Sequence, residues 1–187
     1  MGARAEAAAA TGERILDATV ELFWEQPSDQ IRLDEVANRA GVTVQTVIRR
    51  FGGKDGLFEA VTNREAGRVR ESRFTVEPGD VTGAVSNLVA HYEEYGDLVM
   101  RMLAEEDRIP ALKAIVEHGR TVHREWCEFA FQPFLAALSG TERERRLGQT
   151  VAICDVYPWK LRRRDSSLSR EQTELALLEM LAPFVKE

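Results

Sequence analysis

The sequence predicts an all-α fold of about nine helices, and three observations support this prediction. Apolar residues recur at helical spacing, as Ile15, Ala18 and Leu22 do in the first segment. Residues that start helices stand between such segments, as in the capping-box pattern Ser169-x-x-Gln172. No segment shows the apolar–polar alternation of a half-buried strand. The 187 residues, 44% of them hydrophobic, suffice for one small and one larger helical domain.

Local signals place the first four helices. The first is predicted from about Thr11 to Glu25, because Pro27 and Ser28 follow it, and the alanine-rich residues 1–11 are expected to form a flexible arm. The next three are predicted at Leu33–Ala40, at Val44–Phe51, and from Lys54 to about Arg73.

The clearest boundary signal is Glu77-Pro78-Gly79-Asp80. Asp80 is expected to cap a fifth helix that Gly96 breaks, with a short helix through Met100–Leu103 after it. A long helix is expected at about 110–138, with a kink at Pro133. The next is expected to run from the Thr141-x-x-Glu144 capping box to about Arg164, with a disturbance at Pro158. The last is expected from Ser169 to about Val185.

Residues 31–58 have the pattern of a helix-turn-helix motif. Gly41 suits a turn that needs a positive φ angle, and Thr43 can cap the helix that follows. Small apolar residues such as Val36 and Val47 supply the contacts between the two crossing helices. This geometry predicts that the second helix enters the major groove of DNA.

The outer side of that second helix carries the candidate base contacts. Gln45 can pair bidentately with adenine, and Arg49 can bind guanine or a phosphate. Lys54 stands at a helix start, where free N–H groups also favour an anion. The alternative for Gln45 and Arg49 is that both are ordinary solvated helix residues. Thr43, Thr46 and Arg50 are further phosphate candidates, and Val44 and Ile48 share the outer side.

The net charge of −6 argues against nucleic-acid binding when the chain is taken as a whole. The local distribution points the other way, because residues 36–54 contain no acidic residue and include Arg39, Arg49, Arg50 and Lys54.

The motif and its continuation Phe51-x-x-Lys54-x-x-Leu57-Phe58 resemble the TetR family of bacterial transcriptional regulators. The resemblance covers residues 12–65 in helix order, spacing and apolar positions, and the rest of the chain only in length and helical character. Ile48 stands where the family commonly has a tyrosine, and Gly53 where it often has serine or asparagine. Arg32 stands where threonine is common, and it could reach a phosphate by charge.

The resemblance implies two domains with different functions. Residues 12–58 would bind double-stranded DNA, and residues 59–187 would bind a ligand and dimerise, with the helix at 54–73 linking and coupling the two. The implied function is a ligand-responsive repressor that acts as a homodimer on a two-fold symmetric operator.

The middle helices are rich in large apolar and aromatic residues. Such residues at helical spacing are either plain core or the lining of a pocket for a small, largely apolar ligand, and the resemblance favours the pocket. The candidate lining residues are Tyr92, Met100, His123, Trp126, Phe129 and Cys154.

The last predicted helix is apolar over a wide arc. It is either a core helix or part of a two-fold four-helix interface, and paired helix-turn-helix units favour the interface. The candidate interface residues are Leu175, Leu178, Leu181, Ala182 and Val185. A second basic set at residues 143–164 is interpreted as a solvated face rather than a binding surface.

Several protein classes find no support. The sequence has no glycine-rich phosphate loop, nucleophile elbow or zinc motif. The protein is therefore not expected to be an enzyme, and no bound cofactor or metal ion is expected. The cysteines, Cys127 and Cys154, are interpreted as reduced core residues. No segment reads as a signal peptide or a membrane span, which predicts a cytoplasmic protein without a membrane partner. The runner-up function is a helical protein–protein interaction module with a non-functional helix-turn-helix.

Overall fold

The structure is a computed structural model that describes residues 2–185, apart from the side chains of Arg4, Pro110 and Ala111. Within these residues the regular secondary structure is helical throughout, which confirms the all-α prediction. The helices are α1 (Gly2–Glu25), α2 (Leu33–Ala40), α3 (Val44–Phe51), α4 (Lys54–Arg73), α5 (Val81–Glu105), α6 (Pro110–Ala130), α7 (Gln132–Leu135), α8 (Gly140–Ile153), α9 (Val156–Lys160) and α10 (Arg170–Leu181), with a π-helical turn at Leu161–Asp165 after α9.

The chain forms two compact units. The first comprises Met1–Gly67 with Arg108–Ala111, and the second comprises Arg68–Asp107 with Leu112–Glu187. The division falls within α4, between Gly67 and Arg68.

In the first unit, α2, α3 and α4 have the bounds that the sequence predicts. The first helix differs, because α1 begins at Gly2 rather than near Thr11. Alanine has the highest intrinsic helix propensity, so the alanine-rich residues continue α1 instead of forming a separate arm. The core of this unit contains the fully or almost fully buried side chains of Ile15, Leu22, Val36, Val47 and Leu57.

The core of the second unit contains two completely buried tryptophans, Trp126 of α6 and Trp159 of α9. The predicted break at Gly96 is wrong, since α5 runs without interruption from Val81 to Glu105. A β-carbon on Gly96 would overlap the ring of Trp159, so the glycine makes room for the indole and does not end the helix.

The predicted long helix at 110–138 is in fact two helices. The first, α6, ends at Ala130, whose carbonyl accepts a hydrogen bond from Gly79 N at 2.8 Å. Pro133 lies in the first turn of α7, where the missing N–H costs no helical hydrogen bond, so the proline does not kink a continuous helix.

The predicted helix from Thr141 to Arg164 is also divided. Its N-cap is Ser139 rather than Thr141, and it ends before Cys154. The carboxylate of Asp155 then caps α9 by accepting from Tyr157 N at 3.0 Å, so a new helix begins at Val156, before Pro158. This break depends on a capping carboxylate.

The last helix begins where its cap predicts. Ser169 Oγ accepts from Gln172 N at 3.2 Å, which confirms the N-cap. The helix ends at Leu181, four residues before the predicted end near Val185.

Candidate nucleic-acid interface

The turn between α2 and α3 depends on a left-handed glycine. Gly41 has φ 66°, and the amide of Val42 donates to Ala37 O at 2.9 Å, so the end of α2 is closed by backbone hydrogen bonds. A residue with a β-carbon would be strained at this φ angle. The turn therefore fixes the point at which α3 begins.

The first turn of α3 is held by two threonines. Thr43 Oγ1 accepts from Thr46 N at 3.2 Å, and the two hydroxyls lie 2.9 Å apart. This confirms Thr43 as the N-cap of the predicted recognition helix.

Glycines also fix the junction between α3 and α4. Gly52 has φ 80° and donates its N–H to Ile48 O at 2.8 Å, and Gly53 has φ 135°. A β-carbon on Gly56 would overlap the carbonyl oxygen of Phe51. The positive φ angle at Gly53 explains why glycine stands here in place of the serine or asparagine that is common in the family that the sequence resembles.

The two sides of α3 differ sharply in exposure. Val47 is completely buried, whereas Ile48 is 39% exposed and Gln45 and Arg49 are exposed beside it. Gln45 and Arg49 are four residues apart and therefore share a face. In the described part of the chain, neither side chain forms a hydrogen bond or an ion pair. Val44 is half-buried at the edge of the same face.

Arg50 follows Arg49 in sequence but packs elsewhere. Its guanidinium lies against α1 at Gly12, where a β-carbon would overlap it. Its Cζ is also 5.8 Å from the centre of the Phe51 ring. Gly12 thus leaves space for a cation beside the recognition helix.

Two other predicted phosphate ligands have partners within the chain. Lys54 Nζ donates to Asp29 O at 3.2 Å and lies 5.2 Å from the centre of the Phe58 ring. Arg32 pairs with Asp34 at 3.0 Å, and this hydrogen bond lowers the pKa of the Asp34 carboxyl. Both cations are exposed enough to bind a further anion, but Asp34 offsets part of the charge at Arg32.

Arg39, part of the basic stretch, joins α2 to α1. Its guanidinium makes two hydrogen bonds of 2.7 Å to the carboxylate of Glu25 and lies 3.6 Å from Glu21. The bond from Arg39 lowers the pKa of Glu25. Its charge is therefore used within the unit, and Arg49 and Arg50 remain without a carboxylate partner among the described residues.

In the second unit, four of the six predicted pocket residues are buried together. Tyr92 Oη donates to Cys154 O at 3.1 Å, and the rings of His123 and Trp126 stack with centroids 6.3 Å apart. Met100 is half-buried against the same core. Phe129 is half-buried as well and contacts the Phe74 ring at 5.3 Å between centroids.

Sequence reasoning missed Arg73 at the centre of this cluster. It is 4% exposed, and Trp126 Nε1 donates to its carbonyl at 2.9 Å. A basic residue in the last turn of a helix is common for electrostatic reasons, so nothing in the sequence marked Arg73 as buried.

The predicted dimer residues fall into two groups. Leu181 is completely buried within its own chain beside Leu177, so it belongs to the core of the second unit. Leu175 is 48% exposed and Ala182 is exposed, whereas Leu178 and Val185 are half-buried.

The second basic set is largely paired with acidic residues. Arg163 contacts Glu93 at 2.6 Å, Arg164 contacts Asp97 at 2.8 Å, and Arg143 contacts Glu128. These pairs support its interpretation as a solvated structural face.

The helices α1–α4 contain the part of the chain that matches a known family. Residues 15–61 match the family described as "Bacterial regulatory proteins, tetR family". No match was found among curated proteins. In the described part of the chain, no helix has the length and apolar character needed to cross a membrane.

Solved structures share the fold over almost the whole chain. A TetR-family transcriptional regulator from Streptomyces coelicolor has a TM-score of 0.67 at 18% identity, covering 91% of this chain and 81% of that one. The SmeT–triclosan complex has a TM-score of 0.72 at 18% identity, covering 95% and 93%. NalD of Pseudomonas aeruginosa, the secondary repressor of the MexAB-OprM multidrug efflux pump, has a TM-score of 0.63 at 20% identity, covering 96% and 99%.

Proposed function

We propose that this chain is a member of the TetR family of bacterial regulatory proteins, a family that its residues 15–61 match, and that it is a homodimeric, ligand-responsive repressor that binds a two-fold symmetric DNA site. Residues 15–61 match a family of bacterial regulatory proteins, and the fold of the chain is similar to that of a TetR-family transcriptional regulator. Repression, ligand binding and a symmetric DNA site are proposed in addition.

The observation that carries the proposal is the free outer face of α3. Gln45 and Arg49 are exposed on a helix whose two ends are fixed by Thr43 and Gly52. A rigid helix that presents unpaired hydrogen-bonding groups is suited to reading base edges. Gln45 would read adenine and Arg49 would read guanine or bind a phosphate.

Apolar contacts would complete the base-reading face. Ile48 is exposed beside Gln45, and Val44 lies at the edge of the same face. An aliphatic side chain cannot donate the hydrogen bond that a tyrosine hydroxyl at this position would offer to a phosphate, but it can pack against the methyl group of thymine. This substitution would shift the chain from a backbone contact to a base contact.

The phosphate contacts would surround that face. Thr43 and Thr46 stand at the first turn of α3, and Arg50 is held against Gly12 of α1. The ammonium of Lys54 donates one hydrogen bond to Asp29 and has two further N–H groups for a phosphate. Arg32 would contribute less, because Asp34 competes for its guanidinium.

Dimerisation would use the exposed side of α10. Leu175 of α10 and Ala182 directly after the helix are exposed, and Leu178 and Val185 are half-buried. An apolar face of this kind is covered efficiently by a second copy of itself in a two-fold arrangement. Two copies of α3 could then occupy successive major grooves.

Ligand response would use the second unit, within the proposed ligand-binding domain at 59–187. The ligand would bind near Tyr92, His123 and Trp126 and favour a conformation with lower affinity for DNA. The helix α4, which runs from the end of the recognition motif to Arg73, would carry the change. Fold similarity to a protein solved with triclosan supports a small ligand with an apolar body.

The test is selection of binding sites from a randomised duplex library, with the wild-type protein and Arg49→Ala side by side. The proposal predicts enrichment of a two-fold symmetric site and a weaker enrichment by the variant. No enrichment at low salt, with or without small-molecule extracts, would instead favour a protein–protein interaction module.

A further inference from the structure

Arg73 is a buried cation, and Trp126 contacts both its guanidinium and its backbone carbonyl. Its side chain is 4% exposed, and its Cζ lies 4.3 Å from the centre of the Trp126 ring. The indole N–H of the same tryptophan donates to the carbonyl of Arg73 at 2.9 Å. Trp126 of α6 therefore contacts both the guanidinium and the backbone of Arg73, the last residue of α4.

The guanidinium is poorly supplied with acceptors. Among the described residues it makes one side-chain hydrogen bond, from Nη2 to Nδ1 of His123 at 3.3 Å. The other ring nitrogen of His123 lies 3.2 Å from Val151 O, which can only accept, so Nε2 carries the proton and Nδ1 is the acceptor. Arg73 Nε is buried and has no partner in the described part of the chain.

The groups around Arg73 are neutral at pH 7. Burial, assisted by the charge of Arg73, lowers the pKa of His123 to about 4 and that of His91 to about 3. Burial also raises the pKa of Tyr92 and that of the Cys127 thiol. None of these four side chains offers a counter-charge to the guanidinium.

One carboxylate acts on this cluster from a distance. Asp155 influences Tyr92, His123 and Cys127 through space, but it accepts a hydrogen bond from Tyr157 N as the cap of α9. It forms no ion pair with Arg73 in the described structure. A contact with an aromatic face offsets only part of the cost of burying a cation.

Other shielded arginines of the chain are treated differently. Arg64 contacts Asp17 at 2.7 Å and Glu13 at 3.0 Å, and Arg163 contacts Glu93 at 2.6 Å. Arg73 is more deeply buried than either, yet among the described residues it lacks the carboxylate that they have. The second unit therefore contains a desolvated guanidinium whose Nε has no acceptor, and no carboxylate among the described residues pairs with it.

We infer that the ligand of the second unit is a small carboxylate with an apolar body, and that its carboxylate binds Arg73. This inference rests on the proposed ligand response, and it replaces a purely apolar ligand with an anionic one. The carboxylate would accept from Nε and a terminal nitrogen of the guanidinium, a geometry that arginine favours. The apolar body would pack on the large side chains around Trp126 and Tyr92.

The alternative is an ordered water molecule. The side-chain oxygen of Asn87 is also buried and has no partner among the described residues, and its Nδ2 donates to the carbonyl of Ser72, the neighbour of Arg73. A water that accepts from Arg73 Nε and donates to Asn87 Oδ1 would satisfy both groups. Arg73 would then be a structural residue with no ligand.

The experiment uses the full-length protein, with Arg73→Met as the test variant and Arg70→Met as the matched control. Arg70 is an exposed cation one turn earlier on α4. The probes are benzoate and hexanoate, each compared with its neutral amide, benzamide or hexanamide, at constant ionic strength. The readouts are the melting temperature and the Kd from calorimetry.

The expected result is that both carboxylates stabilise the wild type and Arg70→Met more than their amides do. In Arg73→Met this preference should disappear, with carboxylate binding weakened about tenfold or more. Without a probe, Arg73→Met should be at least as stable as the wild type, because it replaces an uncompensated buried charge with an apolar side chain.

Three results would overturn the inference: no preference for carboxylates in the wild type, the same preference in Arg73→Met, or a marked loss of stability in Arg73→Met without a probe. DNA binding is measured separately on the selected duplex. Carboxylate binding at Arg73 that leaves DNA affinity unchanged would support the site and contradict the proposed ligand response. An effect of benzoate on DNA affinity that persists in Arg73→Met would support the proposed ligand response and contradict Arg73 as the site of the carboxylate.

Discussion

Arg49 on the outer face of α3 and Arg73 at the end of α4 are the same residue type in opposite situations. Neither has a carboxylate partner among the described residues, but Arg49 is exposed and Arg73 is 4% exposed. Water solvates the first charge at little cost, whereas the second has lost that solvation. Under the proposed function, the outer face of α3 can contact DNA without rearranging an ion pair, whereas the buried guanidinium of Arg73 would gain its counter-charge from an anionic ligand.

The two regions also differ in how their backbone is fixed. Capping hydrogen bonds and left-handed glycines at Gly41 and Gly52 define both ends of α3. The end of α4 is positioned by the side chain of Trp126. The recognition motif should therefore respond most strongly to changes in its glycines, and the Arg73 cluster to changes in charge.

The largest effect is expected from Gly56→Ala in the recognition region. The new β-carbon would overlap Phe51 O, a backbone atom that cannot move without shifting the junction of α3 and α4. We expect a loss of about 3 kcal/mol in the free energy of unfolding, measured by urea denaturation.

Gly67→Ala on the same helix is the matched control, since a β-carbon there meets no atom within 4 Å. It should stabilise the protein by about 0.5–1 kcal/mol through helix propensity. A gain in Gly56→Ala as large as that in Gly67→Ala would mean that the junction is not rigid.

The next effect concerns pH and the Arg73 cluster. The pKa of His123 is about 4 in the folded protein and about 6.5 when unfolded, so protons bind preferentially to the unfolded chain between these values. Stability from this residue is present above pH 6.5 and is lost as the pH falls towards 4, by roughly 2 kcal/mol between pH 7 and pH 5.

The measurement is urea denaturation of the wild type and His123→Gln at both pH values. Other groups also titrate in this range, so the quantity that matters is the difference between the two proteins. The variant should lose less stability than the wild type on acidification. Equal losses would show that His123 is not held neutral by its surroundings.

Two substitutions in the recognition region, which should leave the stability of the fold almost unchanged, separate base reading from phosphate binding. Gln45→Ala should change the preference at one base position by about 2 kcal/mol and leave the other positions unchanged. Lys54→Ala should weaken binding to every sequence and reduce the slope of log K against log salt by about one. Binding to systematically mutated duplexes at several salt concentrations measures both, and a uniform loss in the Gln45 variant would remove its reading role.

The sequence predicted the recognition motif better than the second unit, for a physical reason. The ends of α2 and α3 depend on residues within a few positions, such as the left-handed Gly41 and the N-cap Thr43. The continuity of α5 at Gly96 depends on Trp159, which is far away in the sequence. The burial of Arg73 likewise depends on Trp126, and helical periodicity carries no information about such distant contacts.

The most direct test compares the two arginines in one assay. Fluorescence anisotropy would give the affinity for the selected duplex of the wild type, Arg49→Ala and Arg73→Met, each with and without benzoate. The account predicts that Arg49→Ala loses DNA affinity, and that Arg73→Met binds DNA like the wild type but no longer responds to benzoate. Unchanged DNA affinity in Arg49→Ala would contradict the assignment of α3 as the DNA-reading surface.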